Sequence, residues 1–347
     1  MDYIIYGAGF FGLHLCELFQ RQGITPRYIF DRNAAKWHQR WQGVEIVPPD
    51  PAIVGASKVV VAHASPAVMK EIAADLRGMG IQNTETVYAF ANRPENAALF
   101  LDQRVILRVE EREIEEHREY IEEAEALFAD EASKATYRDI LRALREKSFD
   151  GISSLPMARQ YLFYEVLPKR ADEVFVDVGA GPWGEVWKAF AAENGAAFRF
   201  FYLFDPCRTV AAALPPDPSG KVVMVRQAAG EVRGRVRVKN YRDSNALICP
   251  TGEETAECIP LDAFPFAARP TFLKIDTEGW ERQGLFGARR LIAEGRPVVA
   301  CAVYHQVRDF WEIPLWLAKL PAYRLYLRSY LGVHETILYL IPKERLS

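Results

Sequence analysis

The run Val174-Phe175-Val176-Asp177-Val178-Gly179-Ala180-Gly181-Pro182-Trp183-Gly184 limits what this chain can become more than any other stretch. Four of its first five residues are apolar, the pattern of a strand covered on both faces in a parallel sheet. The glycines then break the strand into a tight turn, and EVWKAFAAEN continues as a helix that stops at Gly195. Strand, glycine turn and helix bring main chain close to a nucleotide-like ligand at the C-terminal edge of a sheet. One detail separates this turn from a phosphate cradle. Asp177 precedes the first glycine, giving Asp-x-Gly-x-Gly-x-x-Gly. A carboxylate there repels a pyrophosphate and attracts a cation.

The next apolar segment, FRFFYLFD, ends in Asp205 ahead of Pro206. An acid at the tip of the strand after the glycine helix is placed to hold a ribose diol by two hydrogen bonds. The expected ligand is thus both nucleoside-like and cationic, which describes S-adenosylmethionine. Asp177, Gly179, Ala180, Gly181, Gly184 and Asp205 are its expected binding residues. Downstream lie KVVMVRQAAG, a hairpin-like GEVRGRVRVKNY turning at Gly234, and AECIPLDAF and TFLKIDTEG, each with an acid near its end. A helix (WERQGLFGARRLIAEG), a strand (VVACAVYHQ), a Trp-rich helix (DFWEIPLWLAKL) and two closing strands (YRLYLRSY and ETILYLIP) complete the chain. This alternation predicts a doubly wound α/β sheet with an antiparallel edge.

A second glycine turn stands at the N-terminus. Tyr3–Tyr6 runs into Gly7-Ala8-Gly9-Phe10-Phe11-Gly12, a helix follows to Gly23, and the strand RYIF ends on Asp31. Gly7, Gly9, Gly12 and Asp31 match the dinucleotide fingerprint, in which the acid bonds a ribose hydroxyl. Two readings stay open: a second nucleotide, NAD-like or a nucleotide-sugar, or a glycine turn kept for strand–helix packing alone. KVVVAHAS and AVMKEIAADLRGMG read as a further strand and helix, and ETVYAFA as the last strand. His63 is either at the ligand edge or a helix-entry histidine before Pro66. The unit closes by Asn92, too short for a dehydrogenase catalytic domain of its own.

From residue 93 to 158 the pattern is helical and strongly charged, a connector whose Ile114, Ile121, Ala124 and Phe128 form a stripe for packing on a domain or in a homo-oligomer. Ser133 reads as a helix N-cap, and MARQYLFYE is placed to lie over the ligand of the following domain. The expected division is 1–92, 93–158 and 159–347. A net charge of −3 argues against a broad nucleic-acid surface. No apolar run approaches the roughly 20 residues of a membrane span. Five cysteines without a C-x-x-C pair read as thiols of a reducing, cytoplasmic compartment.

VFVDVGAGPWG, LFDP, PLDAF and FLKIDTEGWERQGLFGARRLI together resemble the FkbM-type methyltransferase family. The block Lys274, Ile275, Asp276, Glu278, Gly279 and Glu281 is the most specific part, and the resemblance runs from about residue 120 to 347. It implies a class I fold and S-adenosylmethionine-dependent O-methylation of a small-molecule acceptor, a hydroxyl of a sugar, glycan or natural product, with an N-terminal Rossmann-like companion. Pro182-Trp183 departs from the small or polar residues usual in the turn.

Methyl transfer needs alignment of donor and acceptor, and removal of the acceptor's proton. Asp276, Glu278 and His305 are the candidates for that work, while Glu281 reads as a first-turn acid and Lys274 as the partner of an acid. Asp262, Asp276, Glu278 and His305 are also of metal-ligand type, yet no closely spaced ligand motif compels an ion, and a divalent metal stays unassigned. Two alternatives remain: an NAD- or nucleotide-sugar-dependent oxidoreductase or epimerase using the first glycine turn, and a non-catalytic scaffold.

Overall fold

The computed structural model describes all residues except 1, 101–102, 104–105, 110, 149–151, 158–159, 164, 182–184, 194–196, 208–219, 242–245 and 347. The chain forms two compact units. The first comprises Met1–Glu116, Ile140–Ile152 and Gly332–His334; the second comprises His117–Asp139, Ser153–Leu331 and Glu335–Ser347. The connector read from the sequence is divided between them.

The first unit holds strands β1 (Tyr3–Tyr6), β2 (Tyr28–Phe30), β3 (Arg40–Trp41), β4 (Val44–Val47), β5 (Lys58–Val61) and β6 (Thr84–Thr86) in the order β3-β4-β2-β1-β5-β6. All pairings are parallel except β3 with β4. ETVYAFA is not one strand. Thr86 ends β6 and its hydroxyl accepts from Ala89 N at 3.3 Å, capping the helix Val87–Ala91. The β3–β4 hairpin leaves no periodic signal in the sequence, because two- and four-residue strands carry too few alternations.

The second unit is built on strands β7 (Val174–Val178), β8 (Phe200–Phe204), β9 (Val222–Val225), β10 (Ala228–Ala229), β11 (Gly234–Asn240), β12 (Ala246–Ile248), β13 (Glu254–Ile259), β14 (Phe272–Ile275), β15 (Val298–Ala302), β16 (Tyr323–Leu331) and β17 (His334–Pro342, whose first residue counts with the first unit). The main sheet runs β16-β17-β15-β14-β7-β8-β9, and β17 lies antiparallel to β15. That is the expected doubly wound sheet with its antiparallel edge. Its centre is a ladder of three phenylalanines in register: Phe175 stacks on Phe201 of β8 at 4.4 Å and on Phe272 of β14 at 4.5 Å. Flat stacking across neighbouring strands buries large apolar area and fixes the register.

A four-stranded sheet, β10-β13-β11-β12, corrects the expected hairpin. β10 pairs with β13 in parallel and β11 pairs with β13 antiparallel, so Gly234 begins a strand and makes no hairpin turn. Ser133 is likewise not a cap. Asp130 accepts from Ser133 N at 2.8 Å ahead of the helix Glu131–Glu146, and the Ser133 hydroxyl instead accepts from Leu327 N at 2.9 Å. Among the described residues no helix is long and apolar enough to cross a membrane.

Candidate active site

Parallel strands deliver their C-terminal ends to one edge, and four loops meet at the edge of the second unit's main sheet. β7 gives Gly179, β8 gives Asp205, β14 gives Asp276, and β15 leads through Tyr304 to His305. Asp177 is fully buried one residue before the end of β7. It sits opposite Lys274 in the β7–β14 register, and the Lys274 Nζ lies 2.9 Å from its Oδ1. The same ammonium donates to the Gly179 carbonyl at 2.5 Å. Burial works against a charged lysine, but Asp177 and Asp276 outweigh it and hold the Lys274 pKa above its ordinary value. The acid read as facing a cationic ligand therefore already has a cation of its own.

The turn it supports is tight. Gly179 has φ +81°, and a Cβ there would sit 1.7 Å from the Asp276 carbonyl oxygen. Only glycine fits. Gly179 N and Ala180 N donate to Phe204 O at 2.9 and 3.2 Å, and Gly181 N donates to Asp205 Oδ2 at 3.1 Å. Asp205 Oδ1 accepts from Cys207 N at 2.9 Å. Burial pushes the Asp205 carboxyl up to about 6 in spite of these two N–H groups. Gly184, with Pro182 and Trp183, lies outside the described residues, as does Gly195.

Asp276, Glu278 and His305 come together. His305 is 3% exposed, with Nε2 3.1 Å from Glu278 Oε2 and 3.7 Å from Asp276 Oδ1. Its Nδ1 lies 3.0 Å from Glu281 Oε1. Burial disfavours the imidazolium, yet Glu281 and Glu278 outweigh it and hold the ring well above its usual pKa. Glu281 is no mere first-turn acid. It is 1% exposed and reaches back to accept from Thr277 N at 2.7 Å and Gly279 N at 3.2 Å. Burial raises its pKa, and His305 with the Thr277 N–H reverses that to a net depression. Atoms of Asp276, Glu281 and His305 lie within 4.8 Å of one another, close enough to hold an ion. With both ring nitrogens facing carboxylates, however, the arrangement is that of an imidazolium clamp. Asp262 is elsewhere, accepting from Arg290 N and Leu291 N at 3.0 and 2.8 Å.

Three further groups surround Asp276. Tyr161 Oη donates to Asp276 Oδ2. Tyr304 Oη lies 3.4 Å from the same oxygen and 3.1 Å from Glu335 Oε2, to which Gln160 Nε2 also donates. Asp276 Oδ1 is buried and has no hydrogen-bond partner among the described residues. The Asp276 and Glu278 side chains stay 15% and 18% exposed, so the cluster opens toward solvent. Gln160 and Tyr161 belong to the segment expected to lie over the ligand; nothing in the sequence marks Glu335, whose position beside Asp276 depends on β17 lying next to β15.

The first unit repeats the turn. Gly7 N donates to Phe30 O at 2.7 Å, and Asp31 accepts from Ala8 N at 2.7 Å and Asn33 N at 2.8 Å. Gly7 has φ +114°, Gly9 caps the helix Phe10–Arg21, and a Cβ at Gly12 would fall 1.7 Å from Gly7 O. Lys36 Nζ lies 3.4 Å from the Asp31 carboxylate and donates to Ala8 O at 3.0 Å. Close main-chain packing accounts for Gly7 and Gly12, whereas a Cβ at Gly9 would meet nothing within 4 Å. His63 accepts from Ser65 N at 2.9 Å through Nδ1, at the entry to the helix Pro66–Gly78.

Strand order and edge define a class I methyltransferase-like fold. Residues 177–331 match the family model of the methyltransferase FkbM domain, so the second unit carries an FkbM-type methyltransferase domain, as the sequence resemblance implied. The methyltransferase FkbM of Methylobacillus flagellatus KT shares the fold, with a TM-score of 0.69 at 20% identity over 98% of this chain and 89% of that one. CalO1, a methyltransferase in calicheamicin biosynthesis in its SAH-bound form, aligns over 72% of this chain and 76% of its own, with 14% identity and a TM-score of 0.27. No curated protein matches the chain. None of these comparisons supports a nucleotide in the first unit.

Proposed function

We propose that the second unit binds S-adenosylmethionine at the edge formed by β7, β8, β14 and β15, and methylates a hydroxyl of a sugar, glycan or natural-product acceptor. One observation carries this reading: the glycine turn with Asp205 and the Asp276–Glu278–His305 cluster occupy adjacent ends of the same parallel strands. Each Asp205 oxygen spends one lone pair on a backbone N–H and keeps another for a ribose hydroxyl. Gly179, Ala180 and Gly181 line the turn beside it. Asp177 acts at one remove, holding Lys274 and through it the Gly179 carbonyl.

The donor supplies a methyl already activated by sulfonium charge. The protein's part is alignment and proton removal. Asp276 Oδ1, buried and without a hydrogen-bond partner among the described residues, is the oxygen left to receive the acceptor hydroxyl, while the His305 imidazolium, clamped by Glu278 and Glu281, fixes the loop that carries it. The excess of carboxylates suits a cationic donor. Five free, buried cysteines support a reducing, cytoplasmic setting. Calorimetry with S-adenosylhomocysteine tests the reading: binding is expected, and its absence at high micromolar concentration in folded protein would refute it.

A further inference from the structure

Three residues around Asp276 hold left-handed backbone: Tyr161 at φ +69°, Glu278 at φ +56° and Glu335 at φ +58°. Such conformations are strained for L side chains and persist where surroundings dictate them, often at functional sites. Glu278 lies in the family block and Tyr161 in the segment expected over the ligand, whereas Glu335 is marked by neither. Tyr304 shows what it does. That hydroxyl has one hydrogen and two carboxyl acceptors, Glu335 Oε2 at 3.1 Å and Asp276 Oδ2 at 3.4 Å. Gln160 and Tyr161 donate to the same two oxygens from a separate segment. Two carboxylates drawn around one hydroxyl repel each other, and a single shared proton relieves the repulsion.

We propose that Asp276 and Glu335 act as one proton-sharing pair that accepts the acceptor hydroxyl's proton, making Glu335 a further residue of the methyl-transfer reaction. This rests on the reading of S-adenosylmethionine as donor. As the acceptor oxygen bonds the methyl carbon, the sulfur–methyl pair returns to sulfur, leaving a neutral thioether. The hydroxyl proton passes to the pair, and from there to solvent through the open mouth. The titratable groups facing Glu335 are Asp276, Glu278, Tyr304 and Tyr161, with neutral Gln160 alongside. Burial first and Asp276 second push its carboxyl up to about 7. It therefore exchanges its proton near neutrality, as a general base should.

The arriving sulfonium should expel that proton, whereas S-adenosylhomocysteine, neutral at sulfur, should not. Calorimetry of the full chain near pH 7, in buffers of different ionisation heat, counts the protons. The expected result is about half a proton more released by S-adenosylmethionine than by S-adenosylhomocysteine, a difference lost in Glu335→Gln. Equal counts for both ligands in the wild-type protein would overturn the pair while leaving the donor reading intact. Binding of neither would remove the donor reading and the pair with it. Infrared difference spectra give a ligand-free check: Asp309 also contributes to the protonated-carboxyl intensity that fades as pH rises through 7, so Glu335→Gln must lose the part of it absent from Asp309→Asn, and an intensity unchanged by Glu335→Gln refutes the assignment.

Discussion

Lys274 Nζ stands 2.9 Å from Asp177 Oδ1 and 2.5 Å from the Gly179 carbonyl, joining a buried ion pair to the turn at the head of the sheet. The two side chains are 3% and 0% exposed. Removing one member strands the other charge in the core, which costs about 3–5 kcal/mol. Lys274→Met should lower unfolding stability by that amount in denaturant titration. Asp177→Asn paired with Lys274→Met should recover part of it, since replacing both charges removes the stranded one. Full additivity of the two losses would show that the pair is not coupled.

Gly179 is a position where a methyl group has nowhere to go. Its Cβ would meet main chain, the Asp276 carbonyl at 1.7 Å, and its φ of +81° disfavours any L side chain. Gly179→Ala should cost about 3 kcal/mol or more and displace Asp276 with it. Calorimetric affinity for S-adenosylhomocysteine and the melting temperature should fall together.

Asp205 offers a cleaner test of ligand contact. Loss of hydrogen bonds to a charged acceptor removes about 1.5–3 kcal/mol, so Asp205→Ala should weaken S-adenosylhomocysteine binding by roughly ten- to a hundredfold. Circular dichroism should show the fold retained. Unchanged affinity would place the ribose elsewhere.

Asp309 gives a pH dependence with a definite sign. It is 1% exposed; burial first and Glu281 second raise its carboxyl to about 7, against the opposing Arg282 guanidinium 3.0 Å away. An acid raised in the fold supports stability fully below its unfolded pKa of about 4, and loses that support as pH rises through about 7. Asp309→Asn cannot titrate. Relative to wild type, its stability should improve by about 2 kcal/mol between pH 5 and pH 8. Melting curves at the two values measure the swing, and a parallel response of both proteins would refute it.

Much of the fold is legible because the central strands are largely apolar runs followed by glycine or acid, so VFVDV, FFYLF and FLKI could be little else. The acids Asp205 and Asp276 stand out for the same reason, as charges at strand tips. The sequence pattern leaves the partnerships of Asp177 and Glu335 unread. Asp177 meets Lys274 through strand register, and Glu335 meets Asp276 through sheet order, neither of which local periodicity contains. ETVYAFA misleads in a different way: the β-propensity of its residues is overridden by one capping hydroxyl, that of Thr86.

The most direct measurement is a crystal structure with S-adenosylhomocysteine bound. The expected result is a ribose against Asp205, the thioether directed at Asp276 and Glu335, and Lys274 still seated on Asp177. Density at the Gly7–Gly12 turn alone, with the ends of β7 and β8 empty, would contradict the proposed site.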